Sequence, residues 1–134
     1  MMTDKEIKKS PWLALENHAD ELTPEQLEWC ISKYPATAFR YCPHKLTPEQ
    51  LNYCVREWPY TALTSCFEKL TPEQIDYCVH EDPDGALRFC FEKLTPEQIE
   101  YCIFEEPWTA QLFCADKLTQ DQLDYCEELT KNDG

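Results

Sequence analysis

Nine cysteines recur at every twelfth position, and this spacing constrains the fold more than any other feature of the chain. They stand at Cys30, Cys42, Cys54, Cys66, Cys78, Cys90, Cys102, Cys114 and Cys126. The segment Leu-Thr-Pro-Glu-Gln recurs every 24 residues, beginning at Leu22, Leu46, Leu70 and Leu94, and a variant of it begins at Leu118. A fixed period of this length is typical of a solenoid, in which each repeat packs on its neighbours.

Each repeat is predicted to contain two short helices. At the start of the first helix, Thr23 is a strong N-cap, Pro24 suits the first helical position and Gln26 completes a capping box. The apolar residues that follow are spaced as on one buried face of a helix. A proline then ends this helix and begins the second. The second helix carries an alanine in every repeat, at Ala14, Ala38, Ala62, Ala86 and Ala110.

The sequence therefore predicts an all-α fold, a superhelical solenoid of 24-residue two-helix repeats with four full units and a half-unit at each end. We expect a single repeat domain over residues 10–129. The segments 1–9 and 130–134 are polar, and we expect them to form an N-terminal and a C-terminal tail. The invariant alanines predict close helix crossings, because no larger side chain replaces them.

The cysteines admit a structural and a functional interpretation. Structural zinc sites bring cysteines in pairs two to four residues apart, and the chain has no Cys-x-x-Cys motif. A buried free thiol instead behaves as a small apolar group, so we expect core packing and neither metal nor cofactor. A metal-sensing or redox-sensing module is the less favoured alternative. The odd number of cysteines favours a reducing cytoplasm.

No catalytic motif is found in the sequence. The chain has two glycines, Gly85 and Gly134, which are too few for a phosphate-binding loop. His18, His44 and His80 stand at three different positions of the repeat, and none belongs to a nucleophile elbow or a zinc-protease motif. No apolar stretch approaches the length of a membrane span. We therefore expect a non-enzymatic, cytoplasmic protein that does not enter a membrane.

The charge of the chain is strongly negative and unevenly distributed. It has 26 acidic and 12 basic residues, for a net charge of −14. Residues 1–45 hold seven acids and six bases, whereas residues 46–134 hold nineteen acids and six bases. Many of these acids recur at fixed positions of the repeat. The residues predicted to bind a partner are Glu49, Glu57, Glu68, Glu73, Asp76, Glu81, Glu92, Glu97, Glu100, Glu105, Asp116, Asp121 and Asp124.

A ladder of carboxylates has a natural counterpart in nucleic acid. Duplex DNA places phosphates every ~3.4 Å along one strand. Packed helices lie about 8–10 Å apart, so we expect equivalent carboxylates two helices apart to be separated by about 10–20 Å. The sequence therefore predicts an inhibitor that mimics nucleic acid and blocks the DNA-binding or RNA-binding site of a basic partner protein. The same negative charge disfavours direct binding of nucleic acid.

A second interpretation uses an aromatic position of the repeat. Trp12, Tyr60 and Trp108 occupy a variable column that contains Ala36 and Asp84 in the other repeats. A peptide-binding or protein-binding scaffold would use this column on its concave face. The exposed end layers of a solenoid also allow two copies to associate as a homodimer.

The 24-residue period, the recurring leucine and the proline-initiated second helix resemble the leucine-rich-repeat variant family over residues 11–129. That resemblance implies a superhelix in which an α-helix alternates with a 3₁₀ helix. The chain lacks the cysteine-rich cluster segment of that family, so the resemblance implies no iron–sulfur cluster. Its small size and acidity also resemble the DNA-mimic inhibitors of bacteriophages, including anti-CRISPR and anti-restriction proteins. This second resemblance implies a viral protein in the cytoplasm of a host cell and a bacterial defence complex as partner.

Overall fold

The computed structural model describes residues 2–131, and within this range the chain forms eleven α-helices and no β-strand. The predicted all-α helical-repeat solenoid is confirmed. The helices are α1 (Asp4–Lys9), α2 (Pro11–Asn17), α3 (Pro24–Lys33), α4 (Pro35–Tyr41), α5 (Pro48–Glu57), α6 (Pro59–Ser65), α7 (Pro72–Glu81), α8 (Pro83–Cys90), α9 (Pro96–Glu105), α10 (Pro107–Cys114) and α11 (Gln120–Thr130).

Each repeat contains a third element after its two helices. This is a 3₁₀ turn of three residues, found at Ala19–Glu21, Pro43–Lys45, Phe67–Lys69, Phe91–Lys93 and Ala115–Lys117. The second helix of the repeat is an α-helix throughout the described residues. The alternation of α-helix and 3₁₀ helix implied by the family resemblance therefore does not describe this repeat, in which a 3₁₀ turn follows two α-helices.

The capping boxes predicted from the Thr-Pro-Glu-Gln segment are present. At the start of α9, the backbone N–H of Gln98 donates to the Thr95 hydroxyl at 3.2 Å, and the backbone N–H of Thr95 donates to Gln98 Oε1 at 2.9 Å. The same reciprocal pair begins α3, α5, α7 and α11. Each box satisfies backbone N–H groups that have no partner inside the helix, and so fixes where the helix begins.

The capping glutamine also joins one repeat to the next. Its side-chain amide donates to a carboxylate on the preceding first helix, about one repeat earlier in the chain. These contacts join Gln26 to Asp4 at 2.8 Å, Gln50 to Glu28 at 3.4 Å and Gln98 to Asp76 at 3.5 Å. One amide group thus caps its own helix through its oxygen and holds the neighbouring helix through its nitrogen.

The contacts of the chain divide it into two compact units, unit 1 (Met1–Lys69) and unit 2 (Leu70–Gly134). In unit 1, α2 packs on α1, α3 and α4, and α4 packs on α5 and α6. In unit 2, α8 packs on α7, α9 and α10, while α11 packs on α9 and α10. The single domain that the sequence predicts over residues 10–129 stays a prediction.

The invariant alanines lie inside the repeat array. All five are fully buried. The second helices that carry them pack on one another, α2 on α4, α4 on α6 and α8 on α10. A buried position leaves little room for a larger residue, and the close helix crossings predicted at this column stay a prediction.

The first residues of the chain form part of the repeat array. The sequence analysis predicts a polar tail over residues 1–9, but Asp4–Lys9 is a helix and Ile7 is only 2% exposed. Ile7 stands 24 residues before Ile31 and so belongs to the buried aliphatic column of the first helices. Helix α1 is therefore a shortened first helix. At the other end α11 extends to Thr130, which is buried, and residues 132–134 of the predicted tail lie outside the described residues.

The bridge made by the capping glutamine can be tested with Gln98→Glu. The introduced carboxylate can still accept the Thr95 N–H, but it cannot donate to Asp76 and it repels that carboxylate. We expect a loss of about 1 kcal/mol in the free energy of unfolding, measured with urea. Asp76→Asn in the same chain should recover most of this loss. An equal loss with or without Asp76→Asn would contradict the bridge.

Candidate functional site

The thirteen acids that the sequence predicts to bind a partner are all exposed to solvent. They lie on the outer faces of the first helices and in the 3₁₀ turns. A cysteine and an aliphatic residue occupy the buried face of α3, α5, α7 and α9, so the acids on the other faces of these helices point outward. These carboxylates are therefore accessible to solvent. They differ in their ion-pair partners and in the charges around them.

The two units differ strongly in charge. Unit 1 holds ten acids and eight bases, for a net charge of −2, whereas unit 2 holds sixteen acids and four bases, for a net charge of −12. The acidity of this protein is therefore almost entirely a property of unit 2. The sequence boundary at residue 46 falls about one repeat too early, because the repeat that ends unit 1 contributes bases as well as acids.

Several exposed carboxylates of unit 2 have no ion-pair partner in the described part of the chain. Among them are Glu73, Glu97 and Glu100, and Glu73 and Glu97 stand at the same position of consecutive repeats. Other predicted residues do have partners: Glu92 lies 3.6 Å from Lys117 Nζ, and Asp76 lies 3.6 Å from His80 Nδ1. The unpaired carboxylates present uncompensated charge to solvent, whereas the paired ones also contact neighbouring residues.

A second acidic group surrounds the start of α8 and the start of α10. Burial raises the pKa of the Glu106 carboxyl, and the negative charges of Asp84, Glu105 and Asp82 raise it further. Asp82 caps α8 through a hydrogen bond from the Gly85 N–H at 3.0 Å, and Asp84 accepts a hydrogen bond from the Thr109 hydroxyl at 2.5 Å. Of this group, only Glu105 is among the residues that the sequence predicts to bind a partner. Asp82 and Glu106 could also be found from the sequence, because each is an acidic residue directly before the proline that begins a second helix.

The side chains of the aromatic column are exposed to solvent, which a binding surface requires. Trp12, Tyr60 and Trp108 are each between two fifths and about half exposed. Trp12 meets the edge of the Tyr34 ring, with centroids 5.6 Å apart. Trp12 and Tyr60 lie in unit 1, and Trp108 lies in unit 2.

All nine cysteines are buried and none forms a disulfide. The prediction that they pack in the core is confirmed. Burial raises the pKa of the Cys54 and Cys66 thiols to about 11 and that of the Cys78 and Cys102 thiols to about 12. A thiol held protonated in this way is a poor nucleophile. Among residues 2–131, no three His, Cys, Asp or Glu side chains are grouped so as to hold a metal ion.

The cysteines that follow the second helices also connect repeats. Cys66 Sγ donates to the Phe39 carbonyl at 3.1 Å, and Cys114 Sγ donates to the Leu87 carbonyl at 3.3 Å. In each case the acceptor lies on the second helix of the preceding repeat. The thiol therefore fills a small space and also satisfies a backbone oxygen inside the core.

Fold and surface together define a helical-repeat solenoid with one strongly acidic unit. Comparison with known proteins finds no matching family model, no matching curated protein and no matching solved structure. In the part of the chain that the structure covers, every helix is too short or too polar to cross a membrane.

The raised thiol pKa values predict how stability depends on pH. The ordinary pKa of a thiol is near 9.0, and that of the folded Cys102 is about 12. Below this ordinary pKa the thiol is protonated in both the folded and the unfolded chain, and its contribution to the free energy of unfolding is complete. Above it the unfolded chain loses the proton first, so the free energy of unfolding falls as pH rises towards the folded pKa.

We expect Cys102→Ala to make this decline shallower by at most about 1.4 kcal/mol per pH unit. Urea unfolding of both proteins under reducing conditions, at several values between about pH 8 and pH 11, measures the difference. Parallel declines in the two proteins would contradict the assignment to this thiol.

Proposed function

We propose that this protein is a non-enzymatic inhibitor whose acidic unit 2 occupies the nucleic-acid-binding site of a basic partner protein. The observation that carries the proposal is the concentration of charge: unit 2 has a net charge of −12 and unit 1 has −2. Solubility alone does not require so uneven a distribution. A surface of this kind attracts a basic partner over a distance and speeds their encounter.

The spacing of the unpaired carboxylates supports mimicry of a phosphate backbone. Glu73 lies on α7 and Glu97 on α9, and these two helices pack together. The axes of packed helices are separated by about 8–10 Å, so carboxylates on their outer faces stand about that far apart or farther, which corresponds to about three or more phosphate intervals of ~3.4 Å along a DNA strand. A groove of the partner in which arginine and lysine side chains bind phosphates would offer positive charges to these carboxylates.

The resemblance to small acidic inhibitors also suggests where the protein acts and on which partner. Small acidic inhibitors of bacteriophages act on host defence complexes, including CRISPR and restriction systems, and a basic DNA-binding subunit of such a complex is the partner that we propose. The protein would act in the cytoplasm, without a cofactor and without binding nucleic acid itself, because its own charge repels phosphates.

Charge reversal at unpaired positions provides the test. We expect Glu73→Lys with Glu97→Lys to abolish capture of basic proteins from a nuclease-treated bacterial lysate by the immobilised chain. The wild-type protein should release the same proteins when duplex DNA is added and as salt increases, because exposed charges are screened within about 10 Å at 0.1 M salt. Mass spectrometry identifies the captured proteins and measures their recovery.

The matched control is Glu16→Lys with Glu25→Lys. Glu25 stands at the same position of the repeat as Glu73 and Glu97, and the control changes the net charge by the same amount, but both residues lie in unit 1. The control should capture the partner as the wild type does. Equal loss in the two variants, or a captured protein that duplex DNA does not displace, would contradict the proposal.

A second function is favoured by the exposed apolar face of α10. Trp108 is 50% exposed, and on the same helix Phe113 is 52% and Leu112 75% exposed. Leu112 stands where other repeats carry Glu16, Arg40, Thr64 and Arg88. Exposed apolar groups that cluster in this way mark protein-interaction surfaces, so a protein-binding scaffold is the alternative proposal.

Salt and one substitution separate this scaffold from the acidic mimic. If α10 carries the binding, Trp108→Ala should reduce partner capture at least about tenfold, and moderate salt should leave capture unchanged, since burial of an aromatic ring is not screened. Phe104→Ala is the control, because Phe104 is equally exposed but lies on α9. Equal effects of the two substitutions would contradict a specific role for Trp108.

A further inference from the structure

An open groove lies between α3 and α5 in unit 1. It has a volume of about 410 Å³. Ile31, Pro35 and the Tyr53 ring give it an apolar lining, and Glu28 and Glu49 place two carboxylates on its walls. Tyr53 is 54% exposed, and an aromatic residue occupies its position in every first helix from α3 to α11. The groove thus combines an aromatic surface with negative charge.

The equivalent positions of the repeat in unit 2 show which side chain lies in the corresponding space between α7 and α9. Tyr101 and Asp76 are the counterparts of Tyr53 and Glu28, 48 residues later, and His80 is the counterpart of Ser32. The His80 ring lies against the Tyr101 ring with centroids 4.2 Å apart, and its Nδ1 is 3.6 Å from Asp76 Oδ1. The same Nδ1 donates to the Asp76 carbonyl of its own helix at 2.8 Å. Between α7 and α9, therefore, a planar nitrogen-containing ring lies against a tyrosine and close to a carboxylate.

In unit 1 the corresponding side chain is too small to do this. The Ser32 hydroxyl donates to the Trp29 carbonyl of its own helix at 2.7 Å, so it turns back from the neighbouring helix. The Gln50 amide contacts Glu28 at 3.4 Å and orients its carboxylate along the groove. Glu49 forms no ion pair with any residue between 2 and 131. The groove keeps its aromatic and acidic sides but lacks the group that lies between them in unit 2.

Several other repeats carry a basic residue at the position of Ser32. At the position of Ser32 the first helices carry Lys8, Arg56, His80, Phe104 and Glu128. Three of these five can bear a positive charge. Lys8 also lines the equivalent groove between α1 and α3, which it shares with Trp29, the counterpart of Tyr53. The chain thus repeatedly places a basic side chain where Ser32 leaves space.

We propose that the groove between α3 and α5 binds an arginine side chain from a partner polypeptide. The guanidinium group stacks on Tyr53 and pairs with Glu28 and Glu49, since a planar cation suits an aromatic face and carboxylates together. The charge of the groove excludes acidic segments as occupants. This site goes beyond the proposed function, because it lies in unit 1 and does not require the acidic surface of unit 2.

The probe that tests the site is acetyl-arginine methylamide, titrated into the ¹⁵N-labelled full-length protein. We expect saturable NMR shifts centred on the amides of Glu28, Glu49 and Tyr53. Acetyl-citrulline methylamide has nearly the same shape without the charge, and we expect it to bind at least about tenfold more weakly. Equal binding of the two probes, or no saturable shift at these amides, would overturn the proposal.

A reciprocal pair of substitutions distinguishes this site from general attraction to an acidic protein. Ser32→His supplies the ring that closes the groove in unit 2, and we expect it to weaken arginine binding at least about tenfold. His80→Ser should open a second site, seen as new saturable shifts at Tyr101. Thermal unfolding of each variant verifies that it is folded at the temperature of the titration.

Each outcome of this pair bears on the proposal. Unchanged binding in folded Ser32→His protein would overturn it, whereas loss there with gain in His80→Ser would establish the groove. The double variant Glu73→Lys with Glu97→Lys should bind arginine as the wild type does. Failure of the acidic mimic and failure of the groove are therefore separate results.

Discussion

The reciprocal hydrogen bonds between threonine and glutamine at the start of α3, α5, α7, α9 and α11 are the interaction on which the rest of the structure depends. They fix the residue at which each helix begins, and in the first four of these helices a proline at the first helical position suits that start. Because the box recurs every 24 residues, all other columns keep their register. The alanines and cysteines therefore recur at buried positions, and the predicted partner-binding acids recur at exposed ones.

Most of the fold could be predicted because its signals are local and repeated. The capping boxes, the proline boundaries and the buried cysteine and alanine columns all follow from the sequence around Thr23 and its equivalents. The 3₁₀ turn was missed because three residues such as Pro43–Lys45 have no periodicity of their own. Helix α1 was missed because it lacks the Leu-Thr-Pro segment, although Ile7 continues the aliphatic column.

The candidate sites were less predictable, because they depend on which side chains meet between repeats. The sequence identifies the exposed acids but not that Glu92 is close to Lys117 while Glu73 is unpaired. Nor does the sequence show that Ser32 leaves a groove beside Tyr53, since this depends on the distance between α3 and α5. Composition therefore predicted that the surface is negatively charged. The packing of the helices determines which of the exposed residues can bind a partner.

The contacts that join one repeat to the next are all short in sequence. The glutamine bridges span 22 residues, and the thiol hydrogen bonds of Cys66 and Cys114 span 27. Chains whose contacts are this local lose little loop-closure entropy before they gain native interactions, and they fold quickly for their size. Within each unit, any capped helix can thus act as a nucleus, and folding can extend from it one neighbour at a time.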